Sequence, residues 1–434
     1  MGDPERQREP VRQDRVQLWV SRNLQTIAFL GAYFVTTVAG NFVLASPLAS
    51  QSLSLTEYSP RFLEFPNTFT LGFWTLLLCP FLVTPLVVIL TRRAVEPWVS
   101  AHARDLPEFG RVSYVVVVSL CFIYVIYRFW TANVTGLFAS GVDMASSIEA
   151  RFAIRERLGF FTFVPLQALL PFLTVYAVIR WMGSRQVFWM GCALIDFLLL
   201  SVLLVMTNMK WPVLLFYVAI VLAIFVYAKR HAYLKAAVGA LLVFLALLGI
   251  SSFVFRMVPQ GLRASAPTIV WSALYRMAVS YPYYYQVFTA EGPVCGGIVA
   301  QAHRNPPCRP SHLIYTRMFG NNGFENRGTE PLAVHLSGYA LGGWPIAIVA
   351  LIAASVILGF FRAVPLDAGS MSGAVVILGA LAGYHLSQVP GEGVVFYEHG
   401  LFWTFLLIGG YALWCRVAAR VRPRLGPQER ETTA

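Results

Sequence analysis

Charged residues are scarce in this chain of 434 residues. Asp, Glu, Lys and Arg make up 12% of it and apolar residues 57%, whereas a soluble domain carries about a quarter charged and about half apolar residues. The composition excludes a water-soluble globular protein, so lipid must cover most of the surface. The net charge of +12 does not indicate nucleic-acid binding, because the basic residues form short clusters between apolar runs.

Several motifs of soluble enzymes are also missing. The chain has no internal repeat, no low-complexity tract, no glycine-rich phosphate loop and no Cys/His spacing typical of zinc. The Arg-rich start leads into an apolar stretch without a small-residue cleavage site, which indicates a retained first span rather than a cleaved signal peptide. We therefore expect no metal and no other cofactor.

Long apolar runs are abundant. A helix needs about 20 apolar residues to cross a hydrocarbon core of about 30 Å. The chain holds about ten such runs, which predict an all-α polytopic integral membrane protein with about ten transmembrane helices. The runs cover residues 24–46, 69–91, 112–131, 159–180, 187–207, 212–229, 235–256, 332–361, 371–390 and 396–416.

The distribution of Lys and Arg predicts the orientation. Twenty of the 33 fall on the side of the N-terminus, and many of the other thirteen lie in one long loop, which counts little because long segments translocate regardless of charge. Both termini are therefore expected in the cytoplasm. The expected divisions are a cytoplasmic tail (1–23), seven spans (24–256), a large extracytoplasmic loop with short helices (257–331), three spans (332–416) and a second cytoplasmic tail (417–434).

The six cysteines fall into two groups. Four lie within or at the ends of spans, where cysteine is usually a small buried apolar residue. Cys295 and Cys308 are the only pair in an extracytoplasmic loop, and an oxidising compartment favours a disulfide between them.

Basic residues concentrate at the extracytoplasmic ends of the predicted spans. Arginine suits phosphate because its planar fork gives two parallel charge-assisted hydrogen bonds. A concave outer face with several arginines predicts a diphosphate site, although any single arginine can instead anchor its span at the lipid headgroups. The candidates for binding diphosphate or sugar are Arg151, Arg155, Lys210, Arg263, Arg317 and Arg327, and Arg276 is the candidate catalytic cation.

Aromatic residues and two proton acceptors complete the candidate site. Tyr281 and Tyr284 follow Arg276 in a Tyr-rich segment that suits sugar rings, and an interfacial aromatic belt explains the same residues equally well. Glu330 and His335 are the candidate general bases, since either can accept a proton from an attacking hydroxyl. A structural hydrogen-bonding role is the alternative for His335.

The order of these segments resembles the O-antigen polymerase and ligase group, the oligosaccharide repeat-unit polymerases of bacterial envelopes. The likeness covers about residues 130–360. The first feature is an outer Arg-bearing segment before a span (151–159), and the second is a tight outer turn with a basic residue (208–215). The third is a late outer loop that contains an Arg-led helix at Arg276 and ends at residues 335–343. Ligases of this group typically have Asn after the histidine, and Leu336 stands there instead, which favours a polymerase.

This resemblance implies glycosyl transfer between two polyprenyl-diphosphate-linked oligosaccharides at the outer face of a bacterial cytoplasmic membrane. It implies an inverting reaction without nucleotide sugar or metal, with membrane lipid and a chain-length-regulating membrane protein as possible partners. The alternatives are an O-antigen ligase, a C-type glycosyltransferase that uses a polyprenyl-monophosphate sugar, and, in another class, a flippase or transporter of lipid-linked sugars.

Overall fold

The computed structural model of the protein describes residues 14–54, 68–141, 144–250, 270–271, 274–275, 277–297, 308–319, 329–388 and 400–421. These residues form helices joined by turns. In chain order the helices are α1 (Arg15–Arg22), α2 (Leu24–Leu44), α3 (Ala49–Leu53), α4 (Leu71–Arg104), α5 (Arg111–Thr131), α6 (Val134–Ser140), α7 (Met144–Leu158), α8 (Phe160–Ser184), α9 (Val187–Met206), α10 (Lys210–Tyr227), α11 (Ala232–Gly249), α12 (Ser280–Ala290), α13 (Pro310–Phe319), α14 (Val334–Arg362), α15 (Ser370–Leu386) and α16 (Leu401–Val421).

Nine of the helices in the described ranges are long and apolar enough to cross a membrane, and α15 is a tenth apolar helix, of 17 residues. Each of the ten apolar runs in the sequence coincides with one of these helices. The prediction of an all-α polytopic membrane protein is confirmed. Helices satisfy every backbone hydrogen bond internally, which is what a lipid environment requires.

Two helices form the centre of the bundle. In the most apolar 18-residue window of α8, 83% of the residues are buried, and α15 is buried along almost its whole length. In the corresponding window of α11, only 6% of the residues are buried. Small residues allow the close approach of α15 to α2, since a Cβ on Gly383 would collide with the carbonyl oxygen of Gln25. The central helices therefore contact protein on all sides, and α11 lies at the periphery.

Glu108 closes one end of the bundle, in the turn between α4 and α5. Its Oε1 accepts hydrogen bonds from the backbone N–H groups of Ser370 (2.5 Å) and Met371 (3.3 Å) at the start of α15. Its Oε2 accepts one from the hydroxyl of Tyr176 in α8 (2.8 Å). A carboxylate at a helix N-terminus satisfies free N–H groups and complements the helix dipole, so Glu108 ties α15 to α8.

The helix α14 is not straight. Gly342 and Gly343 have non-helical backbone angles, and a Cβ on Gly338 would lie 2.7 Å from the carbonyl oxygen of Ile346 and 2.9 Å from the Cβ of Ala350. Twelve residues of straight helix would separate Gly338 from Ala350 by about 18 Å. The chain therefore reverses at the glycine pair, so that a short helix of residues 334–341 folds back on the helix of residues 344–362. The predicted span 332–361 thus contains a reversal that its hydropathy did not reveal.

Candidate functional site

The helix α7 carries Arg151 and is held at both ends. Near its start, the side-chain amide of Asn208, in the turn between α9 and α10, donates to the backbone oxygen and to the hydroxyl of Ser147, both at 2.7 Å. At its end, the guanidinium of Arg128 donates to the carbonyl oxygens of Arg157 and Leu158, both at 3.2 Å. Arginine commonly caps the last carbonyls of a helix in this way. These contacts fix Arg151 beside the turn that leads into Lys210.

Arg151 is a half-buried cation that no carboxylate of the described residues pairs with. Its guanidinium lies 5.0 Å from the ring centre of Phe152, and it forms no ion pair or hydrogen bond within the part of the chain that the structure describes. Burial lowers the pKa of Arg151 from its ordinary value, and repulsion by Arg155 lowers it further. A desolvated, unneutralised guanidinium favours the binding of an anion.

Tyr315, on α13, lies within electrostatic range of both Arg151 and Glu330. Burial and the negative charge of Glu330 raise the pKa of the Tyr315 hydroxyl, and the positive charge of Arg151 lowers it. Both charged groups therefore act on the same hydroxyl. The fold thus places a cation and a carboxylate that lie 179 residues apart in the sequence near one tyrosine.

Glu330 is buried but firmly oriented. The residue is only 9% exposed. The Oε2 atom of its carboxylate accepts a hydrogen bond from the hydroxyl of Ser280 at 2.7 Å. Its backbone is held by Tyr284, whose hydroxyl donates to the Glu330 carbonyl oxygen (2.9 Å), and by an N–H bond to the carbonyl oxygen of Ser311 (3.0 Å). A carboxylate fixed in this way can accept a proton without rearrangement.

His335 is fully buried and participates in a hydrogen-bond cluster between helices. Its Nε2 lies 3.3 Å from the hydroxyl of Tyr33 and 3.4 Å from that of Tyr281. Tyr33 donates its single proton to the carbonyl oxygen of Leu77 (2.9 Å), so its oxygen accepts from Nε2–H of His335. The nitrogen left to take a proton is then Nδ1, and because His335 is fully buried this atom is out of reach of an attacking hydroxyl. The geometry therefore favours Glu330, which is 9% exposed, over His335 as a base.

The two tyrosines predicted to stack on sugar are buried. Tyr281 is fully enclosed and packs edge-on against Phe73 with ring centres 5.4 Å apart, and Tyr284 is 1% exposed. Their rings present no open face to a sugar in this arrangement. Their hydroxyls instead contact His335 and the backbone of Glu330, so both tyrosines position the candidate proton acceptors.

A cavity of roughly 240 Å³ opens beside this cluster. Pro331, directly after Glu330, and Trp211, directly after Lys210, both contribute to its wall, together with residues of α8, α9, α10 and α15. Two prolines and a π-helical segment (Pro165–Leu169) interrupt regular packing in α8, because proline lacks an N–H and its ring clashes with the preceding turn. These interruptions explain why space remains between otherwise close-packed helices.

The other predicted basic residues have different surroundings. Arg155 is exposed and lies one turn after Arg151. Arg317 is also exposed, and it forms a two-point ion pair with Glu291 at 2.9 and 3.0 Å. Arg317 follows Tyr315 by two residues on α13, and side chains with this spacing point to opposite sides of a helix. Arg317 therefore points away from the cluster around Glu330.

Three predicted site residues, Arg263, Arg276 and Arg327, lie outside the described residues. The residues on either side of Arg276 are fixed, however. The hydroxyl of Tyr275 forms a hydrogen bond with that of Ser52, and the N–H of Met277 donates to the carbonyl oxygen of Thr36 (3.2 Å). Thr36 belongs to the π-helical segment of α2, where the shifted hydrogen-bond register leaves carbonyl oxygens free for such contacts.

Of the two cysteines in the predicted disulfide, the structure describes the side chain of one. Cys308 is disulfide-bonded, and Cys79, Cys121, Cys192 and Cys415 are free thiols. The side chain of Cys295 lies outside the described residues, so its pairing with Cys308 stays a prediction.

Two residues at this site did not stand out in the sequence. Tyr315 lies in an ordinary amphipathic segment, and its role depends on packing across the bundle. Gln388, which is 7% exposed and lines the cavity, lies near the end of the apolar run 371–390. A polar residue at the end of such a run was the available signal, because buried polar groups near a membrane are costly and tend to be functional.

Comparisons with protein-family models, with curated proteins and with solved structures find no match for this chain. Within the described ranges, no group of three His, Cys, Asp or Glu residues comes together in the way that a metal ion requires. The functional interpretation therefore depends on the geometry around Arg151, Tyr315 and Glu330.

Proposed function

We propose that this chain is a membrane glycosyltransferase that polymerises polyprenyl-diphosphate-linked oligosaccharide repeat units for a surface polysaccharide. One observation carries the proposal. Arg151, which forms no ion pair in the part of the chain that the structure describes, and the oriented carboxylate Glu330 both lie within electrostatic range of Tyr315, and Pro331, next to Glu330, lines a cavity in the bundle. A diphosphate leaving group needs an unneutralised cation, and an attacking hydroxyl needs a proton acceptor.

The reaction that fits these groups is a single displacement. A hydroxyl oxygen of the acceptor glycan attacks the anomeric carbon of the donor sugar, and the bond from that carbon to the diphosphate oxygen breaks with inversion. The polyprenyl diphosphate leaves with the bonding electron pair, and Arg151 and Lys210 stabilise its charge. Glu330 takes the hydroxyl proton. Arg276 is proposed as a further cation, and the ligase and the polyprenyl-monophosphate-sugar transferase remain alternatives with the same groups.

The proposed setting is a bacterial cytoplasmic membrane with both termini in the cytoplasm and the site on the opposite face. The excess of Lys and Arg on the side of the N-terminus supports this orientation. The proposed substrates are two lipid-linked oligosaccharides, and a chain-length-regulating membrane protein is the proposed partner.

The test compares Arg151→Ala with Arg157→Ala in a strain that lacks the gene. Arg157 is an exposed arginine of the same helix, so its replacement controls for the loss of one positive charge. A charge-assisted hydrogen bond contributes about 1.5–3 kcal/mol, so loss of Arg151 should slow transfer by at least tenfold. Gel electrophoresis of the surface glycan should show short chains for Arg151→Ala and normal chains for Arg157→Ala, at equal protein levels. Normal chain lengths with Arg151→Ala would refute the assignment of this residue.

The cavity among the helices is the observation that favours the alternative of another class, a flippase for lipid-linked sugars. The location of the intermediate distinguishes the two functions. A strain that lacks a polymerase accumulates single lipid-linked repeat units on the outer leaflet, and a strain that lacks a flippase accumulates them on the inner leaflet. Accumulation on the inner leaflet would exclude the polymerase.

A further inference from the structure

The cavity beside Glu330 is a long crevice rather than a compact hole. One face of α15 lines it from Ala374 to His385, a distance of about 16 Å along the helix. Phe172 of α8 and Phe216 of α10 form the facing walls. Its volume of roughly 240 Å³ exceeds the ~150 Å³ of an apolar protein cavity that admits benzene. A linear hydrocarbon chain fits this shape better than a ring does.

The polar groups of the crevice all lie at one end. Gln167, Tyr384, His385 and Gln388 surround that end together with Trp211, whose ring centre lies 6.0 Å from that of Tyr384. All of these except Gln388 are half-buried, so this end reaches the surface. The walls away from it are aliphatic or phenyl side chains. The crevice thus has the polarity of a lipid, with a polar mouth and an apolar interior.

Gln388 supplies an unused hydrogen-bond donor at the mouth. Its Oε1 accepts from the hydroxyl of Tyr384 (3.1 Å), whereas its buried Nε2 has no partner among the described residues. Such a group costs free energy unless a ligand or water satisfies it. An oxygen atom of a bound head group would do so.

The surroundings of the mouth favour an anionic head group. Lys210 directly precedes Trp211 in the chain, and Pro331 places the mouth next to Glu330 and its neighbour Tyr315, on which Arg151 acts. Arg151 carries a positive charge that no described carboxylate neutralises. The crevice and the candidate diphosphate site are therefore adjacent parts of one surface.

We propose that the crevice binds the first isoprene units of a polyprenyl diphosphate, with the diphosphate at the mouth between Gln388, Lys210 and Arg151. The identity of the head group rests on the proposed function, whereas the binding of an apolar chain rests on the shape of the crevice. The chain would hold the lipid in one register, so that the glycosidic bond to be broken lies beside Glu330.

The test measures binding of geranylgeranyl diphosphate and of inorganic diphosphate to the purified full-length protein in detergent. Leu378→Trp fills the crevice without altering its mouth, and Leu406→Trp adds the same side chain at an exposed position of α16. Leu378→Trp should weaken geranylgeranyl diphosphate binding at least tenfold and leave inorganic diphosphate binding unchanged. Leu406→Trp should leave both unchanged. Wild-type affinity of Leu378→Trp for geranylgeranyl diphosphate would overturn the proposal.

Gln388→Glu is a second variant that does not depend on tolerance of a bulky side chain. It keeps an acceptor for the Tyr384 hydroxyl and replaces the unused donor with a negatively charged oxygen. It should weaken the binding of both probes severalfold, and unchanged binding of both would contradict the proposed position of the head group. Equal displacement of the probe by dioleoylphosphatidylglycerol would also overturn the proposal, because it would assign the crevice to phospholipid.

The binding assay and the glycan assay can fail separately. Suppose that Leu378→Trp loses geranylgeranyl diphosphate binding, and that deletion of the gene leaves the glycan chains unchanged. This pair of results would support the lipid crevice and refute the polymerase. Shortened glycan chains on deletion, with wild-type probe binding in Leu378→Trp, would support the polymerase and refute the crevice.

Discussion

An arginine can bind an anionic ligand strongly only where no carboxylate of the protein already neutralises it. Arg317 and Arg92 both have such partners, Glu291 and Glu96, in exposed or half-exposed ion pairs. Arg151 differs because its surroundings remove water and, among the residues with a described position, supply no carboxylate partner. An anion that binds at Arg151 would therefore compete with no described carboxylate and would displace less water than at an exposed arginine.

The hydrogen bonds of Asn208 allow a prediction about how Arg151 is held in position. Asn208 has a φ of 58° and is 5% exposed, and its amide donates two hydrogen bonds to Ser147. Asn208→Ala removes both bonds and places an alanine in the left-handed region, so we expect a loss of about 2 kcal/mol in the free energy of unfolding. Denaturant unfolding in detergent measures this loss.

Asn208→Gly is the matched control. Glycine adopts a positive φ without strain and also lacks the amide, so it should lose only the hydrogen-bond contribution, about 1 kcal/mol. Equal stability of the alanine and glycine variants would show that the backbone conformation contributes nothing, and wild-type stability of both would contradict the contact with Ser147.

The sequence pointed to candidate residues for this site but not to their arrangement. Arg151 and Glu330 were recognisable because ionisable groups next to apolar spans are costly and thus informative. Their common neighbour Tyr315 was not, because 164 residues separate it from Arg151 and no local pattern encodes that contact. The burial of Tyr281 and Tyr284 was equally hidden, since an aromatic belt, a sugar platform and a packed core share the same composition.

At the scale of helices, the reversal inside α14 determines where His335 and Glu330 lie. Because residues 334–341 fold back on the following helix, His335 lies beside Tyr33, in the middle of α2, rather than at the end of a span. The preceding residues reach the same buried region, and Leu332 and Ala333 are fully buried. The reversal thus brings Pro331 to the wall of the crevice, with Glu330 directly before it in the chain.

Gly343 gives a prediction that tests this reversal. Its φ is 67°, and a Cβ would meet nothing within 4 Å, so Gly343→Ala adds backbone strain without a steric clash. We expect a loss of about 1–3 kcal/mol in the free energy of unfolding, the cost of a non-glycine residue in such a conformation. A decrease in the midpoint of thermal unfolding in detergent checks this expectation.

Gly409→Ala serves as the control for Gly343→Ala. Gly409 lies within α16, and a Cβ there also meets nothing within 4 Å. Alanine favours the helix by about 1 kcal/mol over glycine, so this variant should be at least as stable as the wild type. If Gly343→Ala were stabilised to the same extent, residues 334–362 would form a continuous helix.

Hydropathy located every long helix that the structure describes but could not detect the reversal in α14. Both halves of α14 are apolar, so the hydropathy averaged over a window is as high across the turn as it would be across a straight helix. The sequence Gly342-Gly343-Trp344-Pro345 was the local signal, because glycine permits the unusual backbone and proline disfavours a continuous helix before it. Whether such a signal produces a bend or a reversal depends on the neighbouring helices.

The architecture of the whole molecule was the most predictable feature, for a physical reason. Lipid offers no hydrogen bonds to the backbone, so each apolar run of sufficient length must form a helix. The packing order of those helices is not constrained in the same way, and the central position of α8 and α15 could not be read from the chain. Their burial is also what places the crevice between them.

The orientation of the whole molecule gives the last prediction. Glu156 and Lys229 are exposed, and three consecutive helices, α8, α9 and α10, separate them, so they must lie on opposite sides of a membrane. The distribution of Lys and Arg predicts that Lys229 lies in the cytoplasm. In a variant without its four free thiols, Glu156→Cys should react with an impermeant maleimide on intact cells, and Lys229→Cys should react only after permeabilisation. The reverse labelling would place Arg151 and the crevice mouth on the cytoplasmic face, where lipid-linked repeat units are not polymerised, and would exclude the proposed reaction.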